Sequence, residues 1–229
     1  MNNPLVQRFS MVSVSESTSD STQQRLLDAA EALFLENGLA NVSLRAIVRA
    51  AGQKNQSALQ YHFGGREGLI KAILERRSAQ IDARRQRLIG DALREAKTFS
   101  LRDTCELMIR APFLLCREDR SFRAFLAHFG SQLLIAGDNL GVTRLAQTLP
   151  SAGALQEPIR EVTNALPSDL LVLRLDNLFG LGLYALTKRA RNGGSFRGPA
   201  AELFFSNLVD QIEAALSATV STATTNNLT

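Results

Sequence analysis

Apolar residues recur every three or four positions along most of the chain, the period of a helix with one buried face. Leu26, Leu27, Ala30, Leu33 and Phe34 make the first such stripe and predict a helix from a Thr22 cap to Asn37. Leu44, Ile47, Val48 and Ala51 make a second behind Ser43, a good N-cap, and Gly52 stops it. Asn55 can cap a third, short helix built on Ala58, Leu59 and Phe63. A long fourth helix begins near Arg66 and runs to about Ala92; its apolar positions thin out after Ile73, as in a connecting helix with one buried side. Beyond Ser100 the pattern predicts a second all-helical region. It comprises Leu101–Cys116, with Pro112 as a kink, the strongly apolar Ser121–Ala136, and shorter helices at Gly141–Leu149 and Gln156–Leu166. Two long helices follow, one from a Ser168 cap to Arg191 and one opened by Pro199. The expected fold class is all-α. Residues 1–20, rich in Ser and Thr, are expected to form an unstructured arm, and 218–229 an unstructured tail. Either Met1 or Met11 could start the chain.

Two short helices joined at a glycine describe a helix-turn-helix, whose second helix enters the major groove of DNA, or equally a helical hairpin inside a bundle. The outward positions of the third helix, Gln56, Ser57, Gln60, Tyr61 and His62, are hydrogen-bonding side chains without an acid among them.

The flanks add A-x-x-L-F-x-x-x-G at 30–38, S-L-R-x-I-x-x-x-A-G at 43–52 and Y-H-F-x-x-R-E-x-L at 61–69. With these motifs the stretch Thr22–Leu74 resembles the DNA-binding domain of the TetR family of bacterial transcriptional regulators. The turn departs from the family spacing, with Gln53 and Lys54 where one residue is usual, and Ala58 stands where the family often has Thr. The resemblance implies an amino-terminal three-helix DNA-binding domain, 21–66, and a helical ligand-binding and dimerisation domain, 67–217. It places Thr22, Ser43, Arg45, Lys54, Asn55, Gln56, Ser57, Gln60, Tyr61, His62 and Arg66 at double-stranded DNA. In that set Gln56 and Ser57 would face the groove floor, where a Gln can pair with adenine through two bonds, while His62 and Arg66 would meet the backbone.

Charge changes the picture at one end only. Residues 43–90 hold ten basic against three acidic residues, a net of +7, while 91–229 hold fourteen of each. A basic end on a neutral remainder is the electrostatic footprint of nucleic-acid binding. The only cysteines, Cys105 and Cys116, would lie about 16 Å apart along one helix at 1.5 Å per residue, too far for a disulfide. With only two histidines, His62 and His128, there is no metal-ligand spacing, no phosphate loop and no nucleophile elbow; no metal, cofactor or enzymatic activity is expected. No run reaches the roughly 18 apolar residues of a membrane span, and a cytoplasmic protein is expected.

In the TetR family the second domain commonly holds a small apolar effector. Here Phe113, Phe125, His128, Phe129 and Gln132 are the candidates, with plain core as the competing reading of that stripe. The last two long helices carry wider apolar faces than one monomer needs. The family dimerises through such helices, which puts Leu171, Leu175, Phe179, Gly182, Leu186, Phe204, Leu208 and Ile212 at a homodimer interface. The leading expectation is a homodimeric repressor released by its effector; the alternative is an effector-independent DNA-binding structural or cell-division factor.

Overall fold

The structure, a computed structural model, describes residues 4–95, 100–135 and 166–227, and every regular element among them is helical. The chain divides into two compact units, Met1–Arg77 and Ser78–Thr229.

The first unit holds α1 (Pro4–Asn37), a 3₁₀ turn (Leu39–Asn41), α2 (Leu44–Ala50), α3 (Ser57–Phe63) and the first turns of α4 (Arg66–Arg94). Helix α1 packs on both α2 and α3. Leu26, Ala30 and Phe34 of α1 are fully buried with Ile47, Leu59, Leu69 and Ile73, so every helix of the unit contributes to one core. Each large side chain buried this way contributes about 1.5–3 kcal/mol.

Helix α1 does not start at Thr22. Its backbone is helical from Pro4, where a proline's missing N–H is no loss in the first turn, and over 4–20 this replaces the expected unstructured arm. Thr22 therefore lies within the helix, where its Oγ1 accepts a bond from Arg25 Nη2 at 3.2 Å. A helix N-terminus at Thr22, offering free amides to a phosphate, does not exist.

The second unit holds the rest of α4, then α5 (Leu101–Glu118), α6 (Arg120–Ile135), α7 (Ser168–Arg191), α8 (Pro199–Ser217) and α9 (Thr222–Asn226). Helix α5 opens with a capping box between Ser100 and Asp103 and continues through Pro112 as one helix. Helix α7 packs against α5, α6 and α8, and α5 packs against α8. The core is aromatic: Phe113 lies 4.8 Å from Phe205 and 5.5 Å from Phe196 between ring centres, and Phe125 stacks on Phe129 at 5.3 Å. The tail is not wholly unstructured, because Ser221 caps α9 by accepting the Thr224 amide at 3.2 Å. The helices expected at Gly141–Leu149 and Gln156–Leu166 lie outside the described residues.

The segment Asp169–Arg191 of α7 holds no unbroken run of 18 apolar residues, yet with a mean hydropathy of 1.4 over its most apolar window it is by length and composition long and apolar enough to cross a membrane. It packs instead as a wall of its unit. Leu178 and Leu186 are buried, and Arg174 Nη1 donates to the Leu216 carbonyl at 2.9 Å.

Candidate nucleic-acid interface

Helix α2 is fixed at both ends by local chemistry. The Ser43 hydroxyl accepts the Ala46 amide at 3.2 Å. At the other end Gly52, at φ +69°, donates to the Arg49 carbonyl at 3.0 Å while Gln53 donates to the Val48 carbonyl at 2.9 Å. This pair of bonds is a Schellman close, and it makes Gln53 part of the end of α2. Lys54 alone then links to Asn55. The two-residue departure in the turn is absorbed by the helix end.

Asn55 lies one residue before the cap position of α3, which Gln56 occupies. The Asn55 Oδ1 accepts the Ser57 amide at 3.1 Å and also the Ser57 hydroxyl, closing the start of α3. Leu59 and Phe63 point into the core, which turns Gln56, Ser57, Gln60 and Tyr61 outward. Tyr61 is 82% exposed, a large amphipathic side chain with its ring standing 5.1 Å from that of the half-buried His62. Gln56 makes no capping bond, whereas Gln60 Nε2 donates to the Gly64 carbonyl at 3.2 Å, where the helix ends. Ala58 is half-buried.

Arg45, Arg49 and Lys54 are exposed, and residues 37–66 contain no Asp or Glu. The α2–α3 face is thus positive, rich in neutral hydrogen-bonding groups and free of acid. Such a surface suits a polyanion whose base edges are read by amides and hydroxyls.

Arg66 does not belong to that surface. Its Nη1 donates to the Leu39 carbonyl at 2.8 Å and its Nη2 to the Val42 carbonyl, and its guanidinium lies 5.6 Å from the Phe34 ring centre. The 3₁₀ turn leaves those carbonyls outside any helical ladder, and Arg66 satisfies them.

The +7 of residues 43–90 is likewise not all available to DNA. Arg76 pairs with Asp28 at 2.5 Å and with Glu31, and Arg77 pairs with Glu31 at 2.6 Å. Farther along α4, Arg84 meets Glu118 at 2.6 Å and Arg85 meets Asp82 at 3.7 Å. Three of these four acids, Asp28, Glu31 and Glu118, lie outside the basic window, so a count within it cannot include them.

In the second unit the expected effector residues are core or surface. Phe113, Phe125 and Phe129 are fully buried in the aromatic core. His128 is exposed, its Nδ1 bonded to the Ala124 carbonyl at 2.8 Å. The side chain of Gln132 lies outside the described residues. A cavity of about 60 Å³ lies elsewhere, between α4, α5, α6, α7 and α8, and Phe113, Phe125, His128 and Phe129 do not line it. Its wall includes Ile81, Arg85, Cys105, Ile109, Pro112, Leu175, Leu178, Phe179, Gly182, Leu186 and Ile212. These residues are too dispersed along the chain to declare themselves.

The expected dimer residues also divide. Leu186, Leu208 and Ile212 are buried within their own unit, and Gly182 is buried too, with Ile109 and Ile212 at 3.7 Å from where a Cβ would stand. Leu175 and Phe179 line the cavity, while Leu171 and Phe204 are half-buried. The outward apolar side chains are Val172, Leu173 at 60%, Tyr184 at 53% and Leu203 at 72% exposure. A stripe of apolar residues at helical spacing shows that something covers it, not whether that is the same chain or another.

Residues 26–73 match the family described as bacterial regulatory proteins, tetR family. No curated protein matches the sequence. The fold is similar to that of a protein assigned to the tetR family of transcription regulators from Shewanella sp. PV-4, with a TM-score of 0.59 at 18% identity, over 85% of this chain and 97% of that one. It is also similar to a TetR family transcription regulator from Marinobacter aquaeolei VT8, with a TM-score of 0.54 at 19% identity over 85% and 97%. The fatty acid degradation regulator FadR from Bacillus halodurans gives a TM-score of 0.54 at 13% identity over 87% and 96%. Residues 26–73 thus match the tetR family of bacterial regulatory proteins, and the fold of the chain is similar to that of TetR-family transcription regulators.

Proposed function

We propose that this chain is a transcriptional repressor that binds a pseudo-palindromic duplex site as a homodimer and leaves it when a small apolar molecule occupies the second unit. The observation that carries the DNA-binding part is the exposed α2–α3 face, with Arg45, Arg49 and Lys54 around Gln56, Ser57 and Tyr61 and no acid from 37 to 66. The outward apolar residues of α7 and α8, Leu173, Tyr184 and Leu203, suit a symmetric partner copy. The cavity supports the effector. Ile81 and Arg85 in its wall belong to α4, which is continuous back to Arg66 in the first unit, so a ligand that favours one setting of α4 can shift the population of DNA-competent molecules. That cavity favours this reading over an effector-independent structural factor on the same fold. A cytoplasmic location follows from it.

The test is a titration of cognate and scrambled duplexes over a salt series. Gln56→Ala should cost about 1–3 kcal/mol on the cognate site and little on scrambled DNA. Log affinity of the wild type should fall steeply with log salt. A flat salt response, or an equal loss on both duplexes for Gln56→Ala, contradicts the proposed reading face.

A further inference from the structure

We propose that the Ser57 hydroxyl reads an exocyclic amino group in the major groove, adenine N6 or cytosine N4, because Asn55 holds its only proton and leaves it nothing but lone pairs to offer. This rests on the DNA-reading face proposed above and names the base chemistry that one of its residues selects.

A serine on a DNA-reading helix usually carries little sequence information, since its hydroxyl turns to donate or to accept as the base requires. Ser57 has lost that choice. Its backbone amide donates to Asn55 Oδ1 at 3.1 Å, which sets the Asn55 side chain with its oxygen, not its nitrogen, toward Ser57. Ser57 Oγ bonds the same oxygen. Of these two atoms Oδ1 can only accept, so the hydroxyl is the donor and its single hydrogen points back into the turn. Two groups of Ser57 thus occupy both lone pairs of one Asn55 oxygen, and each bond holds the other in place. Ser57 stays exposed beside Gln56 at the start of α3, while Leu59 and Phe63 take the inner side.

A duplex offers an acceptor-only oxygen few partners. Phosphate oxygens are acceptors themselves, so Ser57 Oγ has no bond to make with the backbone. In the major groove guanine presents N7 and O6 and thymine presents O4, acceptors again; only adenine N6 and cytosine N4 carry hydrogens there. The neighbouring side chains are not limited in this way. Gln56 makes no capping bond, and its amide keeps both a donor and an acceptor, while Arg45, Arg49 and Lys54 are exposed donors that suit phosphate or guanine. Among these residues Ser57 alone is fixed as an acceptor.

The experiment begins with a selection from a pool of random duplexes by the full chain, read by sequencing. Ser57→Ala is then titrated against the enriched site and every single base-pair change of it. The variant should lose about two- to tenfold of discrimination at one base pair of each half-site, where the wild type prefers adenine or cytosine, and keep its preferences elsewhere. At that pair, deoxynebularine in place of adenine or deoxyzebularine in place of cytosine removes only the amine. The matching analogue should penalise the wild type more than Ser57→Ala by about that factor, and so identifies the base that is read. Asn55→Asp retains the acceptor and should keep the preference, whatever it does to total affinity. Asn55→Leu releases the proton and should admit guanine or thymine at the same pair. A preference for guanine or thymine lost in Ser57→Ala, an analogue penalty equal in both proteins, or an Asn55→Leu that keeps the amino preference overturns the inference. An enriched site whose preferences are all unchanged in Ser57→Ala overturns it too and leaves the DNA-reading face standing. A pool that yields no enriched site overturns the reading face itself.

Discussion

Arg66 and Arg45 belong to the same set of sequence motifs and do different work. The Arg66 guanidinium spans the Leu39 and Val42 carbonyls beside the Phe34 ring, so it joins the start of α4 to the link between α1 and α2. Arg66→Ala should leave those part-buried carbonyls without their donor, lowering stability by about 1–3 kcal/mol in urea unfolding. Arg66→Lys should recover little of it, because an ammonium is a point donor and cannot bridge the two. Arg45→Ala should leave the unfolding midpoint in place, weaken cognate and scrambled DNA alike, and make the salt slope shallower by roughly 0.9. The assignment is wrong if the two variants exchange these signatures. A sequence motif places both residues near DNA; only the hydrogen bonds separate holding the fold from holding the phosphate.

At the scale of elements, the legible features were those whose cause is local. Ser43 caps α2, Asn55 closes the turn one residue before the Gln56 cap of α3, and Gly52 ends α2; each acts within a few residues of itself, so composition and spacing came close. The basic half of α4 was misread for the opposite reason. Glu31 takes Arg77 from 46 positions upstream, and no window along α4 contains it. Thr22 was misread because a capping residue is also an ordinary helix residue when the helix continues past it. Glu31 is 4% exposed between two guanidinium groups and ties α1 to α4 within the first unit. Glu31→Gln should therefore cost about 3–5 kcal/mol, the scale for breaking a buried ion pair from one side. Urea unfolding of the full chain measures it, and a change near zero would mean that α4 is not held by this pair. The same network bears on DNA binding, since cations paired inside the fold release no counterions from a duplex, and the salt slope should reflect Arg45, Arg49 and Lys54 before any residue of α4.

For the whole molecule the proposed dimer turns on which side of the last long helices would meet a partner copy. Helices α7 and α8 each have one apolar side turned inward, with Leu186, Leu208 and Ile212, and further apolar residues turned outward, with Leu173, Tyr184 and Leu203. The two sets answer a charge differently. Leu208→Asp buries an unpaired carboxylate in the unit's own core, should cost several kcal/mol, and should unfold the second unit. Leu203→Asp with Tyr184→Asp changes side chains that are mostly exposed in the single chain, so helix content and the unfolding midpoint of the monomer should be retained. In a dimer built on that face the same two charges, repeated by symmetry in both copies, repel and lose their solvent, and the dimer should dissociate. Its effect on DNA should follow from linkage rather than from contact. Two reading heads joined in one particle bind the second half-site at high effective concentration, so dissociation should weaken a full palindrome far more than an isolated half-site. Sedimentation of the double variant over a concentration series, with titrations of full and half-sites, tests both steps. A variant that remains dimeric, or that loses full and half-sites in equal measure, places the partner copy on a different surface.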